Sequence, residues 1–281
     1  VAAASLRVCL VLSLFLAGRT ALASPSCVLI ADAETGAVLH QEGAQCEQRN
    51  SPASTFKVAL ALMGYQAGIL LDAHTPLWPY RTHYQSWDAD WKKKPTDPTA
   101  WLKDSVVWYS RLLVQHMGHG RLQSYVDSFD YGNRDVSGTP GFKEPLPEPV
   151  WVDDTLQISP AEQIAFLRKI VTRQLPLLMP MTYDHVAAVM PAFGAGGWKV
   201  SGKTGSGFQP GGSGKARRQY GWFVGWAMKD KRAVVFARLD KDEAPRNDVA
   251  GIRVRDEFLA AFPGLIRKAP NPAPSPSSSP R

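Results

Sequence analysis

Ser54 and Lys57 stand three residues apart in Ser51-Pro52-Ala53-Ser54-Thr55-Phe56-Lys57, and the run from Val58 to Tyr65 is apolar at nearly every position. On a helix, side chains three apart share a face. Pro52 suits the first turn of such a helix and Gly68 its end. A helix apolar on every face is buried, so Lys57 is expected out of water. Burial disfavours the ammonium form, and a neutral amine one turn from a hydroxyl is a ready general base for a serine nucleophile. Unpaired N–H groups at the helix start offer a place for an oxyanion. Two readings stand on the triplet alone, a solvated surface pair and a catalytic pair, and the buried context favours the second.

Three further segments carry polar groups suited to acyl transfer. Lys103-Asp104-Ser105-Val106-Val107-Trp108 sets a hydroxyl in a hydrophobic frame, and Tyr131-Gly132-Asn133-Arg134-Asp135-Val136-Ser137-Gly138 is a polar turn. Ser201-Gly202-Lys203-Thr204-Gly205 puts a lysine and a hydroxyl on a strand, followed by a glycine that lets a ligand approach the backbone. Singly, each also reads as structure: a helix break, a hairpin turn and an edge strand.

The elements that must position these groups follow from pattern. Cys27 to Ala33 and Ala37 to His40 read as a hairpin turning at Glu34-Thr35-Gly36. From about residue 72 to 178 helical patterns dominate, with a stretch interrupted near Ser105. A helix starts at Ser159-Pro160-Ala161-Glu162, with a cap, a proline at N1 and an acid in the first turn, and runs to about Arg173. Gly197 to Gly205, Tyr220 to Ala227 and Ala233 to Leu239 read as three antiparallel strands, and Val249 to Phe262 as a closing helix. This order predicts an α+β fold: an antiparallel sheet built from both chain ends, flanking helices and an inserted helical subdomain over about 72–178.

The chain has 281 residues, 44% hydrophobic and 20% charged, and a formal net charge of +7. Those values suit one catalytic domain over 24–268 with a real core. The basic residues are too dispersed for nucleic acid. Residues 1–23 are expected to be a cleavable export signal: Arg7, an apolar run from Val8 to Leu16, and Ala21-Leu22-Ala23 before Ser24. The run is too short for a membrane span, so no membrane association is expected after cleavage, and the protein is placed in the periplasm or outside the cell. Residues 269–281, rich in proline and serine, read as a disordered tail. Without Cys9, which lies in the signal, Cys27 and Cys46 form a pair. In an oxidising compartment they suggest a disulfide closing a loop of about 20 residues, contributing about 3 kcal/mol, with two buried thiols as the alternative. Gly211 to Lys215 lacks the glycine and hydroxyl spacing of a phosphate loop. His116 and His119 have no ligand partner at metal spacing, so no metal is expected.

In order, Ser-x-x-Lys, Ser-x-Val, Tyr-Gly-Asn and Lys-Thr-Gly resemble the serine penicillin-recognising enzymes, specifically the class D β-lactamases of oxacillinase type. The resemblance runs from Cys27 to Phe262, and includes Gly221-Trp222-Phe223-Val224-Gly225 and the segment from Val150-Trp151 to Ser159-Pro160. It implies that Ser54 attacks a β-lactam carbonyl and is acylated, with the backbone N–H groups of Ser54 and Ser206 as the oxyanion hole. Ser105 relays a proton to the leaving nitrogen. Lys203 and Thr204 hold the substrate carboxylate, and Val107, Tyr131, Asn133 and Gly205 join the substrate-binding set. Lys57 is expected to be carbamylated by carbon dioxide, to N6-carboxylysine, and to serve as general base in both acylation and deacylation. Trp151 donates its indole N–H to the carbamate, while Val107 and Phe56 keep it dry. No other cofactor is implied. The arginine for the substrate carboxylate precedes the last helix; Arg246, Arg253 and Arg255 compete, and Arg253 is favoured. The partner is a small β-lactam, and the protein itself is a monomer or homodimer. The class A motif Ser-Asp-Asn is absent.

Overall fold

The computed structural model describes residues 26–84, 86, 88–138 and 155–268. The expected signal, the Pro/Ser tail and Trp151 lie outside the described residues.

Six antiparallel strands form one sheet: β1 (Cys27–Asp32), β2 (Val38–Glu42), β3 (Ala192–Ala195), β4 (Trp198–Phe208), β5 (Gln219–Lys229) and β6 (Arg232–Lys241). Their order is β2-β1-β6-β5-β4-β3, so the N-terminal hairpin joins the C-terminal meander through β1 and β6, as the sequence implied. Short β3 was missed, since Ala192-Phe193-Gly194-Ala195 has little strand propensity of its own and is held by pairing with β4. Alternation along the strands splits the core in two. Leu29, Ala31, Trp222, Val224, Val235 and Ala237 face one layer; Val28, Ile30, Phe223, Val234 and Phe236 face the other.

Helix α7 (Ala250–Lys268) covers the second face, packing Val254, Phe258 and Phe262 onto it. It is longer than the sequence suggested and runs through Pro263. Helices α1 (Lys57–Gln66), α2 (Pro98–Asp104), α3 (Val107–Met117), α4 (His119–Phe129), α5 (Pro160–Val171) and α6 (Pro180–Val189) complete the set. Every residue of α1 except Gln66 is buried. Ser159 caps α5 in a complete capping box with Glu162. The helical insertion is narrower than expected, because α5 packs against β6 and β1 and so belongs to the sheet's first face. Cys27 and Cys46 form a disulfide with a Cα–Cα distance of 5.1 Å, tying β1 to the approach of the Ser54 turn. Among the described residues no helix is long and apolar enough to cross a membrane.

Candidate active site

Ser54 does not sit in α1 itself but in a 3-10 turn, Ala53–Phe56, that precedes it; Lys57 is the first residue of α1. The turn opens with Ala53 at φ +47°, a left-handed conformation that a residue with a Cβ adopts only when its surroundings enforce it. Three side-chain bonds do so here. Trp222 Nε1 donates to Ser51 O at 3.0 Å, Thr55 Oγ1 to Pro52 O at 2.6 Å, and Gln163 Nε2 to Thr55 Oγ1 at 3.1 Å. Strand β4 presses on the turn from the other side: a Cβ on Gly205 would lie 3.0 Å from Pro52 O and 3.1 Å from Thr55 Cγ2. A side chain at Gly205 would therefore crowd the turn, and the same residue lines the cleft described below.

Lys57 Nζ lies 2.9 Å from Ser54 Oγ, and Lys57 is fully buried. Burial, with the charge of Lys203 second, holds its ammonium pKa well below the ordinary lysine range. Phe56, also sealed from solvent, flanks it in the chain.

The second pair is assembled by the tertiary fold. Helix α2, capped by Asp97 with Pro98 at N1, stops at Asp104, and Ser105 follows in a left-handed conformation at φ +60°. That turn delivers Ser105 Oγ to within 3.0 Å of Lys203 Nζ. Lys203 also donates to Thr204 O at 3.0 Å and is 1% exposed. Burial, and then the nearby Arg255 charge, push its pKa down to about 7.

Ser54, Ser105, Val107, Thr204, Gly205 and Ser206 line one cleft of about 740 Å³. Trp91 also stands on its walls, and so do Val249 and Ile252, which the sequence missed. Trp91 Nε1 donates to Asp104 O at 3.1 Å, holding that wall next to Ser105. A half-buried tryptophan among lysines and aspartates gave no periodic signal. Ser206 Oγ accepts from Gly251 N–H at 2.9 Å, docking the start of α7 against β4.

Three expected substrate contacts fall elsewhere. Arg253 is turned away into acids, its Nη2 2.7 Å from Asp242 Oδ1 and its Nε 2.9 Å from Asp248 Oδ2, and it is absent from the cleft lining. Arg255, two residues on, takes the place on the lining. The insertion at 241–245 obscured this, because it supplies the acid that captures Arg253. Tyr131 is fully buried behind the site, its ring 5.2 Å from Phe56 and its hydroxyl 3.4 Å from Gln163 Nε2. Asn133 serves the backbone: Nδ2 donates to Thr155 O at 2.7 Å and Oδ1 accepts from Gln157 N–H at 2.9 Å. Gly132, at φ +57°, allows that approach, since a Cβ there would stand 2.1 Å from Gln157 O. The Tyr-Gly-Asn turn is thus a clamp on the 155–158 segment, which also pairs with Asn50 just ahead of Ser54. Gln163 was missed, although a polar residue on the buried face of α5 was its available sign.

Comparison with known proteins gives the same reading. The penicillin-binding protein transpeptidase domain model matches residues 26–262. The β-lactamase OXA-9 of Klebsiella pneumoniae is 41% identical over 243 residues, covering 85% of this chain and 88% of that protein. The chain is a class D β-lactamase. β-Lactamase OXA-1 of Escherichia coli is 34% identical, over 72% of this chain and 70% of its own. The crystal structure of the class D β-lactamase OXA-427 superposes with a TM-score of 0.77 at 39% identity, covering 86% of this chain and 98% of that one. The same fold recurs in the C-terminal domain of the Bacillus licheniformis BlaR penicillin-receptor, at 24% identity and a TM-score of 0.70. At that distance the likeness bears on the fold of this class D β-lactamase alone.

Proposed function

We propose that this class D β-lactamase hydrolyses β-lactam antibiotics through an acyl-enzyme on Ser54, with Lys57 as general base once it has taken up carbon dioxide. The observation that carries the reading is the fully buried Lys57 amine 2.9 Å from Ser54 Oγ. Only a neutral amine reacts with carbon dioxide, and burial favours that form. Among the described residues Lys57 has no carboxylate partner that would keep it charged. Carbon dioxide supplies an anionic oxygen base where the helix offers only an amine. Lys57 holds that group beside Ser54, and Phe56 and Val107 exclude water from it. Trp151 is assigned to hydrogen-bond it.

Ser54 Oγ forms the bond to the lactam carbonyl carbon as its proton leaves toward position 57. Lys203 and Ser105, already in contact, pass a proton to the departing lactam nitrogen. Backbone N–H groups of Ser54 and Ser206 are assigned to the developing oxyanion. Thr204 and Arg255, both on the cleft lining, take the substrate carboxylate in place of Arg253. Export is supported by the Cys27–Cys46 disulfide, a bond that persists in oxidising compartments such as the periplasm.

The test is turnover of a chromogenic cephalosporin with and without bicarbonate at slightly acid pH. Many turnovers per enzyme, raised by bicarbonate, are expected. A single burst equal to the enzyme concentration would overturn hydrolysis in favour of a receptor, and turnover indifferent to bicarbonate would overturn the role of carbon dioxide.

A further inference from the structure

Ser105 stands in the turn between α2 and α3 at φ +60°, a left-handed conformation that a residue with a Cβ holds only when its surroundings enforce it. Inside the turn, the N–H groups of Ser105 and Val106 both donate to Trp101 O. The Asp104 carbonyl is left past the last turn of α2, where the helix offers it no further N–H. Trp91 supplies the partner. From the short 3-10 turn Asp90–Lys92, its Nε1 donates to Asp104 O at 3.1 Å. Its own carbonyl accepts from Trp108 Nε1 at 3.1 Å, and Trp108, in the first turn of α3, is 1% exposed. Trp91 is therefore bonded to both helices, one residue before Ser105 and three residues after it. The Ser105 side chain itself is met by Lys203 Nζ at 3.0 Å. Other charged groups line the same cleft: Asp88, Asp90, Lys94, Lys103, Asp104 and Arg255. Among the described residues none of them makes a hydrogen bond or ion pair to Ser105; Asp88 Oδ1 accepts from Asp90 N–H and Asp90 pairs with Lys93, both within their own loop.

We infer that Trp91 is a positioning residue for Ser105, so that protonation of the departing lactam nitrogen depends on the Trp91 indole N–H. This deepens the reading that Ser105 relays that proton, and rests on it. In that step the lactam C–N bond breaks and its electron pair stays on nitrogen. The nitrogen takes the Ser105 hydroxyl proton, and the Lys203 ammonium, in contact with Ser105, restores the hydroxyl and is left as an amine. Such a relay falls steeply when its middle member is misplaced. Without the indole N–H, the Asp104 carbonyl loses its partner and the end of α2 is tied to α3 only through the chain and Trp101. Ser105 Oγ is then no longer held at one point between Lys203 and the leaving nitrogen. The N–H acts differently from the ring. A ring on the cleft lining that touched the acyl side chain would act on KM, whereas the placement of Ser105 acts on the rate of acylation. Deacylation has no departing nitrogen, so it does not draw on this placement.

The experiment resolves acylation from deacylation by stopped flow, with a penicillin as substrate and the full chain as enzyme. It compares wild type, Trp91→Phe, Ser105→Ala and the double variant. Trp91→Phe is expected to slow acylation about tenfold and to leave deacylation within about twofold. Ser105→Ala is expected to slow acylation about 10²-fold. Adding Trp91→Phe to Ser105→Ala is expected to change acylation by less than about twofold, because a residue that acts through a second has nothing left to lose once the second is gone. A further tenfold loss in the double variant overturns the inference with the Ser105 relay intact. So does a Trp91→Phe that slows both steps equally, or neither. Acylation undiminished in Ser105→Ala removes the reading beneath it. Replacement of Trp91 by benzothienylalanine keeps the bicyclic shape and deletes only the N–H. It carries the same expectations, and it decides the matter where Trp91→Phe fails to fold.

Discussion

Ser54 and Lys57 are three residues apart in the chain and Ser105 and Lys203 are 98 apart, yet both pairs end as a serine oxygen about 3 Å from a buried lysine nitrogen. The first is made within one turn of chain, which Trp222, Gln163 and β4 hold in place while the fold keeps water out. The second needs α2 to stop at Asp104, Ser105 to adopt a left-handed backbone, and β4 to run past the nucleophile turn. The difference extends to their electrostatics. Lys57 is pushed well below the ordinary range, whereas Lys203 stays near 7 and can exist in either state under physiological conditions. The local pair thus sets a lysine whose ammonium form is strongly disfavoured beside one serine, and the assembled pair sets a lysine with a pKa of about 7 beside the other. That division suits a reaction in which one proton is removed from the nucleophile and another is delivered to the leaving group.

The sharpest way to break the comparison is to remove each lysine in turn. On the proposed mechanism Lys57→Ala takes away the base for both chemical steps, and it is expected to lower kcat/KM by about 10⁴-fold, with acylation and deacylation both slowed. Lys203→Ala is expected to cost about 10²-fold, mainly in acylation, since on the proposed mechanism it serves the leaving group. Stopped-flow measurement of the two steps separates them. Equal losses in both steps for both variants would mean that the two pairs form a single indivisible unit.

The neighbouring arginines give a smaller contrast on the same theme. Arg255→Ala removes a cation from the cleft lining, and is expected to raise KM about tenfold with kcat nearly unchanged. Arg253→Ala, distant in function though two residues away, leaves the 8% exposed Asp242 without its partner. Its expected effect is a stability loss of about 2 kcal/mol, read by chemical denaturation, with KM unmoved. Exchange of the two phenotypes would reverse the assignment of the carboxylate site.

What could be read from the letters follows the same local-versus-assembled line. The Ser54–Lys57 pair, the break before α3 at Ser105, the capping box at Ser159 and the alternating strands were legible because each is encoded within a few residues. Arg253 was favoured over Arg255 because neither periodicity nor spacing reveals that Asp242, eleven residues earlier, would capture the first. The placement of α5 against the sheet was hidden for the same reason: an amphipathic helix announces that it has a buried face, and not which layer will cover it. Tyr131 and Asn133 were assigned to substrate because their motif accompanies the chemistry, but a motif can be held by what it supports as well as by what it touches.

That distinction yields the smallest expected effect. Tyr131 has its ring against Phe56 and its hydroxyl 3.4 Å from Gln163 Nε2, which in turn bonds Thr55 in the nucleophile turn. Tyr131→Phe keeps the ring packing and deletes the hydroxyl's contacts with Gln163 and Thr55, which retain each other as partners. The loss of stability is expected to be about 0.5–1 kcal/mol, with KM unchanged across substrates and kcat within about twofold. A hydroxyl that touched substrate would instead raise KM in a manner dependent on the acyl side chain. Steady-state constants for a penicillin and a cephalosporin, set beside denaturation midpoints, distinguish the two. A KM change with unaltered stability would return Tyr131 to the binding surface and would require the clamp to open during turnover.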